Sequence, residues 1–250
     1  MKLYILGNGF DVAHGLPTKY SDFRDYIKSY NKELYNKLND IYPPSILWSD
    51  FEKGLGKADK SFLKKIDNLF GIEDILGESF ADKISDTFGR WISKIDYSKA
   101  GKLFSFSDND IFFAFNYTDT LNSVYGIQET NIKHIHNFVG DYLFELHKLI
   151  VGHNNSNFGD CELLKSTYKD TKKIIAENKQ WFDGLNSKPI TDIEIIGHSY
   201  NLIDVDYFDE INKHLPKVKW VLNYHTDEDK TRLEAFVNKV GIRDYKIKEI

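Results

Sequence analysis

The opening seventeen residues, MKLYILGNGFDVAHGLP, constrain the fold of this chain more than any other stretch. A short apolar run from Leu3 to Leu6 favours a buried β-strand, and the turn Gly7-Asn8-Gly9 ends it. Glycines in such a turn let a phosphate approach the backbone, and a helix that starts near Phe10 would direct its free N–H groups at it. The pattern therefore predicts a strand, a turn and a helix that form a nucleotide site, with a purely structural turn as the alternative.

The glycine spacing is not that of the usual dinucleotide-binding fingerprint. The third glycine of G-x-G-x-x-G would fall at position 12, which is Val12. Gly15 and Pro17 follow soon afterwards and predict that the helix ends within one or two turns. A helix this short is unusual in a simple strand-helix-strand crossover, so we expect the chain to leave the sheet after Pro17.

The composition argues against several classes of protein. At 250 residues with 41% hydrophobic residues, the chain can form one large domain with a sizeable core. A net charge of -5 without a long basic run makes a nucleic-acid or anionic-membrane partner unlikely on physical grounds. We expect no signal peptide before the first strand, and no apolar run approaches the ~20 residues that span a bilayer. A single cysteine, Cys161, fits a reducing compartment, so we expect a cytoplasmic protein.

Apolar periodicity divides the chain into a helical stretch and an α/β stretch. From about residue 18 to about residue 106, apolar residues recur at the three- and four-residue spacing of amphipathic helices. Elsewhere, apolar runs that favour strands alternate with helical patterns, as in a parallel sheet. The expected strands are Leu3 to Leu6, Ile111 to Phe115, Ile132 to Ile135, Leu149 to Val151, Ile193 to Ile196, Val218 to Leu222 and an edge strand from Tyr245 to Ile250. The expected helices are Cys161 to Asn178, Ile203 to His214 and Asp227 to Val240.

These patterns predict a single α/β domain with a Rossmann-like, mostly parallel sheet, formed by about residues 1–17 and 107–250. A helical subdomain of about residues 18–106 is inserted into it. Within the insertion, Trp48, Asp50 and Glu52 form an aromatic and acidic cluster. This cluster either caps and packs a helix start or faces a substrate, and the sequence leaves both interpretations open.

Polar residues follow several of the expected strands, at the edge where open parallel sheets bind ligands. Asn116 offers amide donors and a carbonyl acceptor, which suit a ribose hydroxyl or a water but equally suit a turn. His134 and His136 alternate along an expected strand and would share one face. A histidine there is the natural general base near neutral pH, whereas no third ligand supports a metal site. The segment Gly197-His198-Ser199 fits either a ribose contact or a helix cap.

Four segments resemble known families in the same order along the chain. G-N-G-F-D-V-A-H-G-L-P resembles the segment with which sirtuins hold NAD, and more closely the opening of the abortive-infection AbiH family of bacterial phage-defence proteins. Phe115 to Leu121 is similar to F-N-Y-T-x-T-L of AbiH proteins and to the sirtuin segment that carries the catalytic asparagine. His136 follows Asn116 at a separation that resembles the one in sirtuins. Gly197 to Asp204 and Val221 to Asn223 resemble the segments on the adenosine side.

The resemblance implies a phage-defence protein with a sirtuin-like core that binds NAD and hydrolyses it to nicotinamide and ADP-ribose. It implies Asn116 and His136 as the catalytic residues. The residues that it implies for NAD binding are Gly7, Asn8, Gly9, Phe10, Asp11, Gly15, Pro17, Gly197, Ser199, Asp204 and Asn223. No metal is expected, and a phage-derived trigger, a protein partner and homo-oligomerisation are left open. The zinc module of sirtuins has no counterpart in the sequence, which argues against protein deacylation.

Two other functions stay open at this point. Asn137 stands where the sirtuin motif that carries the catalytic histidine has a glycine, which motivates a protein that senses a nucleotide without cleaving it and acts on a partner. The second alternative is a metal-dependent nuclease or nucleotidyl enzyme that uses Asp11, Asp119 and Asp204 on the same phosphate site.

Overall fold

A computed structural model describes residues 1–42, 44–48, 50–57, 80–140, 149–157 and 165–250. The chain folds into two compact units. The first consists of Met1–Leu16, Asp96–Ile135 and Asp170–Ile250, and the second of Pro17–Ile95 and His136–Lys169. Residues 136–169, which the apolar patterns assign to the α/β core, thus belong to the second unit, and residues 96–106 belong to the first. The division into one core and one insertion stays a prediction.

Six parallel strands form the sheet of the first unit. They are β1 (Lys2–Leu6), β2 (Ile111–Ala114), β3 (Ile132–His134), β4 (Asp192–Ile196), β5 (Lys219–Tyr224) and β6 (Tyr245–Glu249). Their order is β3-β2-β1-β4-β5-β6, with every neighbouring pair parallel. This is the strand order of the common dinucleotide-binding fold. The expected central strands and the expected edge strand are confirmed, and a sirtuin-like core stays a prediction.

Both units contain helices. In chain order they are α1 (Asn8–Ala13), α2 (Tyr20–Tyr30), α3 (Lys32–Ile41), α4 (Pro44–Leu47), α5 (Phe51–Leu55), α6 (Phe80–Ile92), α7 (Thr120–Tyr125), α8 (Thr171–Glu177), α9 (Lys179–Gly184), α10 (Val205–His214) and α11 (Asp227–Val240). Within the part of the chain that the structure describes, no helix is long and apolar enough to cross a membrane.

The core of the first unit lies on both faces of the central strands. Leu3 and Ile5 of β1 and Phe112 and Phe113 of β2 are completely buried. A strand that is buried on both faces reads as a continuous apolar run and not as an alternating one. This is why the run from Ile111 onwards predicts a central strand correctly.

The second unit is helical where it is described between residues 18 and 95, as expected, and contains no strand there. Phe23 of α2 packs edge-on against Phe51 of α5 and Phe88 of α6, with ring centroids 5.3 and 4.8 Å away. Asp50 caps α5 by accepting a hydrogen bond from the Lys53 N–H at 3.1 Å. The capping interpretation of this acidic cluster is therefore met by Asp50.

Two elements of the second half of the chain differ from expectation. Leu149 to Val151 is not a strand: the Ile150 N–H bonds to the His136 carbonyl at 3.0 Å, and only an isolated bridge joins His153 to Tyr168. A helix from Cys161 to Asn178 is wrong in its described part, because residues 167–170 interrupt it before α8. Cys161 itself lies outside the described residues.

Candidate functional site

The carboxyl ends of β1 and β2 meet through the side chain of Asp11. α1 begins directly after β1, so its first turn places Asp11 inside the first unit, where it is 1% exposed. Its carboxylate accepts hydrogen bonds from Asn116 Nδ2 at 2.7 Å, Thr118 Oγ1 at 2.8 Å and Thr120 Oγ1 at 2.6 Å. Burial raises the pKa of the Asp11 carboxyl above its ordinary value, and these hydrogen bonds oppose the rise.

Asn116, directly after β2, has a side chain of fixed orientation. It is 7% exposed, and its Nδ2 donates to the carboxylate of Asp11 and to the Gly7 carbonyl at 3.3 Å. Because both neighbours can only accept, the nitrogen and not the oxygen must face them. Asn116 Oδ1 is buried and has no hydrogen-bond partner among the residues that the structure describes. The site thus contains one neutral acceptor that is oriented and unused.

The glycine turn after β1 packs against the turn after β4. The Gly9 N–H bonds to the Gly197 carbonyl at 2.8 Å, and the Phe10 N–H bonds to the Gly7 carbonyl at 2.9 Å. A Cβ at Gly7 would lie 2.6 Å from the His198 Cα, and a Cβ at Gly9 would lie 2.8 Å from the Gly197 Cα. These glycines therefore have a packing role, and two N–H groups of the expected phosphate cradle bond to protein carbonyls.

Gly197 is required at the end of β4 for two reasons. Its φ is +69°, and a Cβ there would lie 2.1 Å from the Phe10 nitrogen. His198 follows, with Phe115 and Phe208 each 5.0 Å from its ring centroid. Its Nδ1 accepts the Tyr200 N–H at 3.0 Å, so its Nε2 carries the proton and points to Asp204 Oδ2 at 3.3 Å. Both ring nitrogens thus have a local structural role.

Asn223 provides a second buried amide, within β5 and not after it as expected. Its Nδ2 donates to the Ile195 carbonyl at 2.9 Å and to Glu194 Oε1 at 3.3 Å, and its Oδ1 has no hydrogen-bond partner within the described part of the chain. The Tyr200 hydroxyl donates to the Asn223 carbonyl at 2.7 Å, although Tyr200 has a positive φ of 54°. Burial raises the pKa of Tyr200, so its phenol stays protonated. Ser199, between Tyr200 and His198, is exposed.

Of the two histidines that the sequence places on one strand face, His134 lies in a strand and His136 does not. β3 ends at His134, and His136 belongs to the second unit, where it is 2% exposed. His134 Nδ1 lies 3.4 Å from the Asn116 carbonyl, and burial lowers the pKa of His134 to about 4. Asn137 has a φ of +63°. This is a left-handed backbone, which glycine and Asn both tolerate.

Other residues expected to bind NAD have structural contacts. Phe10 is buried in an aromatic cluster with Phe104 and Tyr125, at centroid distances of 5.5 and 5.9 Å. His14 bridges the Phe10 carbonyl at 2.7 Å and the Tyr125 hydroxyl at 2.5 Å. Gly15 has a φ of +73° and follows the end of α1, and Pro17 is the first residue of the second unit. The spacing of threonines and tyrosines alone does not predict that Thr118, Thr120 and Tyr125 belong to these networks.

The three aspartates of the metal-dependent alternative have separate partners. Asp11 bonds to three donors, Asp204 pairs with His198, and Asp119 Oδ2 accepts the Ser123 hydroxyl at 2.8 Å. In the described ranges, no group of three or more His, Cys, Asp or Glu side chains is arranged to hold a metal ion.

These features define an α/β protein with a six-stranded parallel sheet whose polar residues gather at the carboxyl ends of β1, β2, β4 and β5. A family model described as "Bacteriophage abortive infection AbiH" matches residues 3–78 and 72–224. The chain belongs to this AbiH family. A search of curated proteins and a search of solved structures each found no match.

Proposed function

We propose that this AbiH protein binds NAD and hydrolyses it to nicotinamide and ADP-ribose during abortive infection. The observation that carries the proposal is the buried, oriented and unpartnered Oδ1 of Asn116 at the carboxyl end of β2. Parallel sheets with this strand order bind nucleotides beyond the carboxyl ends of their strands.

A neutral acceptor in a fixed position suits this reaction physically. When the bond between nicotinamide and ribose breaks, positive charge develops on the ribose, and an acceptor can orient a ribose hydroxyl or the attacking water. Because Asn116 is already held by its amide nitrogen, it needs no reorganisation as the charge develops. Asn116 is therefore the residue that we assign to the reacting ribose.

The remaining roles follow the resemblance and are part of the proposal. His136 is the general base, Ser199 and Asn223 contact the adenosine side, and the turn of Gly7 to Phe10 contacts the pyrophosphate. For the Gly9 N–H to contact the pyrophosphate, its hydrogen bond to the Gly197 carbonyl must open, because the N–H has only one hydrogen to donate. NAD binding in this site is thus coupled to a movement of the turn after β4.

The test is to incubate the purified protein with NAD and to follow nicotinamide and ADP-ribose by chromatography. We expect release by the wild type and a loss of turnover of ~10²–10⁴ in Asn116→Ala, with similar NAD binding by calorimetry. The matched control is Asn212→Ala. It removes the 3.2 Å hydrogen bond from the Asn212 side-chain amide to the Val240 carbonyl and should leave turnover unchanged.

Each other outcome selects a different function. Binding of NAD without nicotinamide release would replace the enzyme by a nucleotide sensor. Turnover that EDTA abolishes would support the metal-dependent alternative. Absence of both binding and release would refute the proposal.

A further inference from the structure

Both carboxylate oxygens of Asp11, which lies in the segment that resembles the NAD-holding segment of sirtuins, accept hydrogen bonds from protein groups. It is 1% exposed, and both carboxylate oxygens accept hydrogen bonds from the segment that follows β2. Oδ2 accepts from Asn116 and Thr118, and Oδ1 accepts from Thr120. A carboxylate used in this way has its oxygens directed at protein and not at a ligand.

We propose that Asp11 is a positioning residue that fixes the side-chain amide of Asn116, so that Oδ1 faces the substrate; its part in catalysis rests on the proposed function. An Asn side chain can rotate by 180° about its last bond, and the two orientations have nearly the same shape. In the flipped orientation, Asn116 Oδ1 would replace Nδ2 at 2.7 Å from the carboxylate and at 3.3 Å from the Gly7 carbonyl. Two hydrogen bonds would then become two contacts between acceptors, which excludes the flip.

The threonines keep the carboxylate itself from rotating. Thr118 Oγ1 lies 2.8 Å from Oδ2 and Thr120 Oγ1 lies 2.6 Å from Oδ1, so each oxygen has its own donor. The two hydroxyls also contact each other at 3.1 Å. Because Asp11 belongs to α1, its buried carboxylate holds the Asn116 amide in a fixed position relative to that helix.

The orientation can be measured without any turnover. In protein labelled with ¹⁵N at Asn, the Asn116 side-chain NH₂ signal is identified by its absence in Asn116→Ala. We expect this signal in the wild type to be shifted by the carboxylate and protected from exchange with water, and to lose both properties in Asp11→Ala. If Asp11→Ala does not fold, the wild-type signal alone decides, because exchange as fast as that of an exposed Asn would overturn the proposal.

Turnover gives the second test. We expect Asp11→Ala to lower kcat by about 10²-fold, as for a misplaced catalytic group, with KM within about threefold of the wild type. The same change made in Asn116→Ala should lower kcat no further, because Asp11 acts through Asn116. Asp11→Asn should restore most of kcat, since an amide oxygen can replace Oδ2 and the Thr120 hydroxyl can accept from the new NH₂.

Asp110→Ala is the matched control at the other end of the sheet. Asp110 is 5% exposed, directly precedes β2 and accepts the N–H groups of Lys2 and Ser107 at 2.7 and 2.8 Å. Its loss should lower stability and leave kcat unchanged. Equal losses of kcat in Asp110→Ala and Asp11→Ala, or a further loss in the double variant, would overturn the positioning role. A wild type without nicotinamide release would refute the proposed function instead, and the Asn116 NH₂ signal would still decide whether Asp11 fixes that amide.

Discussion

Replacing Gly9 by alanine should destabilise the fold and not merely block a ligand. The sequence pattern alone predicts that a side chain at Gly9 would enter the space of a pyrophosphate and leave folding largely intact. In the structure, the new Cβ would lie 2.8 Å from both the Cα and the carbonyl oxygen of Gly197. These are backbone atoms, and the Gly197 carbonyl already accepts the Gly9 N–H, so neither side can yield by a rotamer change.

The magnitude follows from the contacts that must separate. The turns have to move apart, which breaks the 2.8 Å hydrogen bond from Gly9 to Gly197. The lost bond is worth about 1 kcal/mol and the overpacking about 1–3 kcal/mol, so the free energy of unfolding should fall by roughly 2–4 kcal/mol. This is a large part of the ~5–15 kcal/mol by which a domain is usually stable.

Urea unfolding followed by circular dichroism measures this loss directly. The matched control is Gly184→Ala in α9, where a Cβ meets no atom within 4 Å. There the alanine should be neutral or stabilise by up to ~1 kcal/mol, because it favours a helix more than glycine does. An unfolding free energy of Gly9→Ala within about 0.5 kcal/mol of the wild type would refute the close packing of the two turns, because substitutions at the surface change stability by about that much.

Two further predictions concern residues near β3. The unfolded chain binds a proton on His134 near pH 6.5 but the folded chain only near pH 4, so this contribution to stability is full above pH 6.5 and decreases as the pH falls towards 4. The free energy of unfolding should therefore decrease by roughly 3 kcal/mol over this pH range in the wild type and not in His134→Gln, as urea unfolding at several pH values would show. The same dependence of unfolding free energy on pH in both proteins would contradict this prediction. At Asn137, with its φ of +63°, glycine should change stability by less than ~0.5 kcal/mol and valine should cost ~1–2 kcal/mol or more in thermal unfolding. Equal stability of the glycine and valine variants would exclude the left-handed backbone.

Sequence patterns identify strands well where burial is uniform along the strand. β1 and β2 are buried along nearly their whole length, and both are predicted to within one residue. Leu149 to Val151 has the same apolar character, but none of the described strands lies beside it, and the Ile150 N–H bonds instead to the His136 carbonyl. A short apolar run indicates burial, and only the presence of a partner strand makes it a strand.

The candidate site is predictable in part for the same reason. Asn116 and Asn223 attract notice because amides at or near strand ends are unusual in apolar surroundings. The partners of Asp11 could not be predicted, because Thr118 and Thr120 are 107 and 109 positions away in the chain. Their convergence depends on the parallel register that aligns Leu6 with Ala114, which no local pattern contains.

The glycines of the opening segment are compatible with two different roles. A phosphate cradle and a close approach of two turns both require the absence of a Cβ, so Gly7 and Gly9 satisfy either function. Gly197 distinguishes them, because its carbonyl bonds to the Gly9 N–H where a phosphate oxygen would bind. An NAD pyrophosphate would have to replace this carbonyl as the acceptor of the Gly9 N–H. Ligand binding and the position of His198 and Tyr200 would then change together, and NAD should alter the amide exchange of residues 197–200 as well as that of the turn itself.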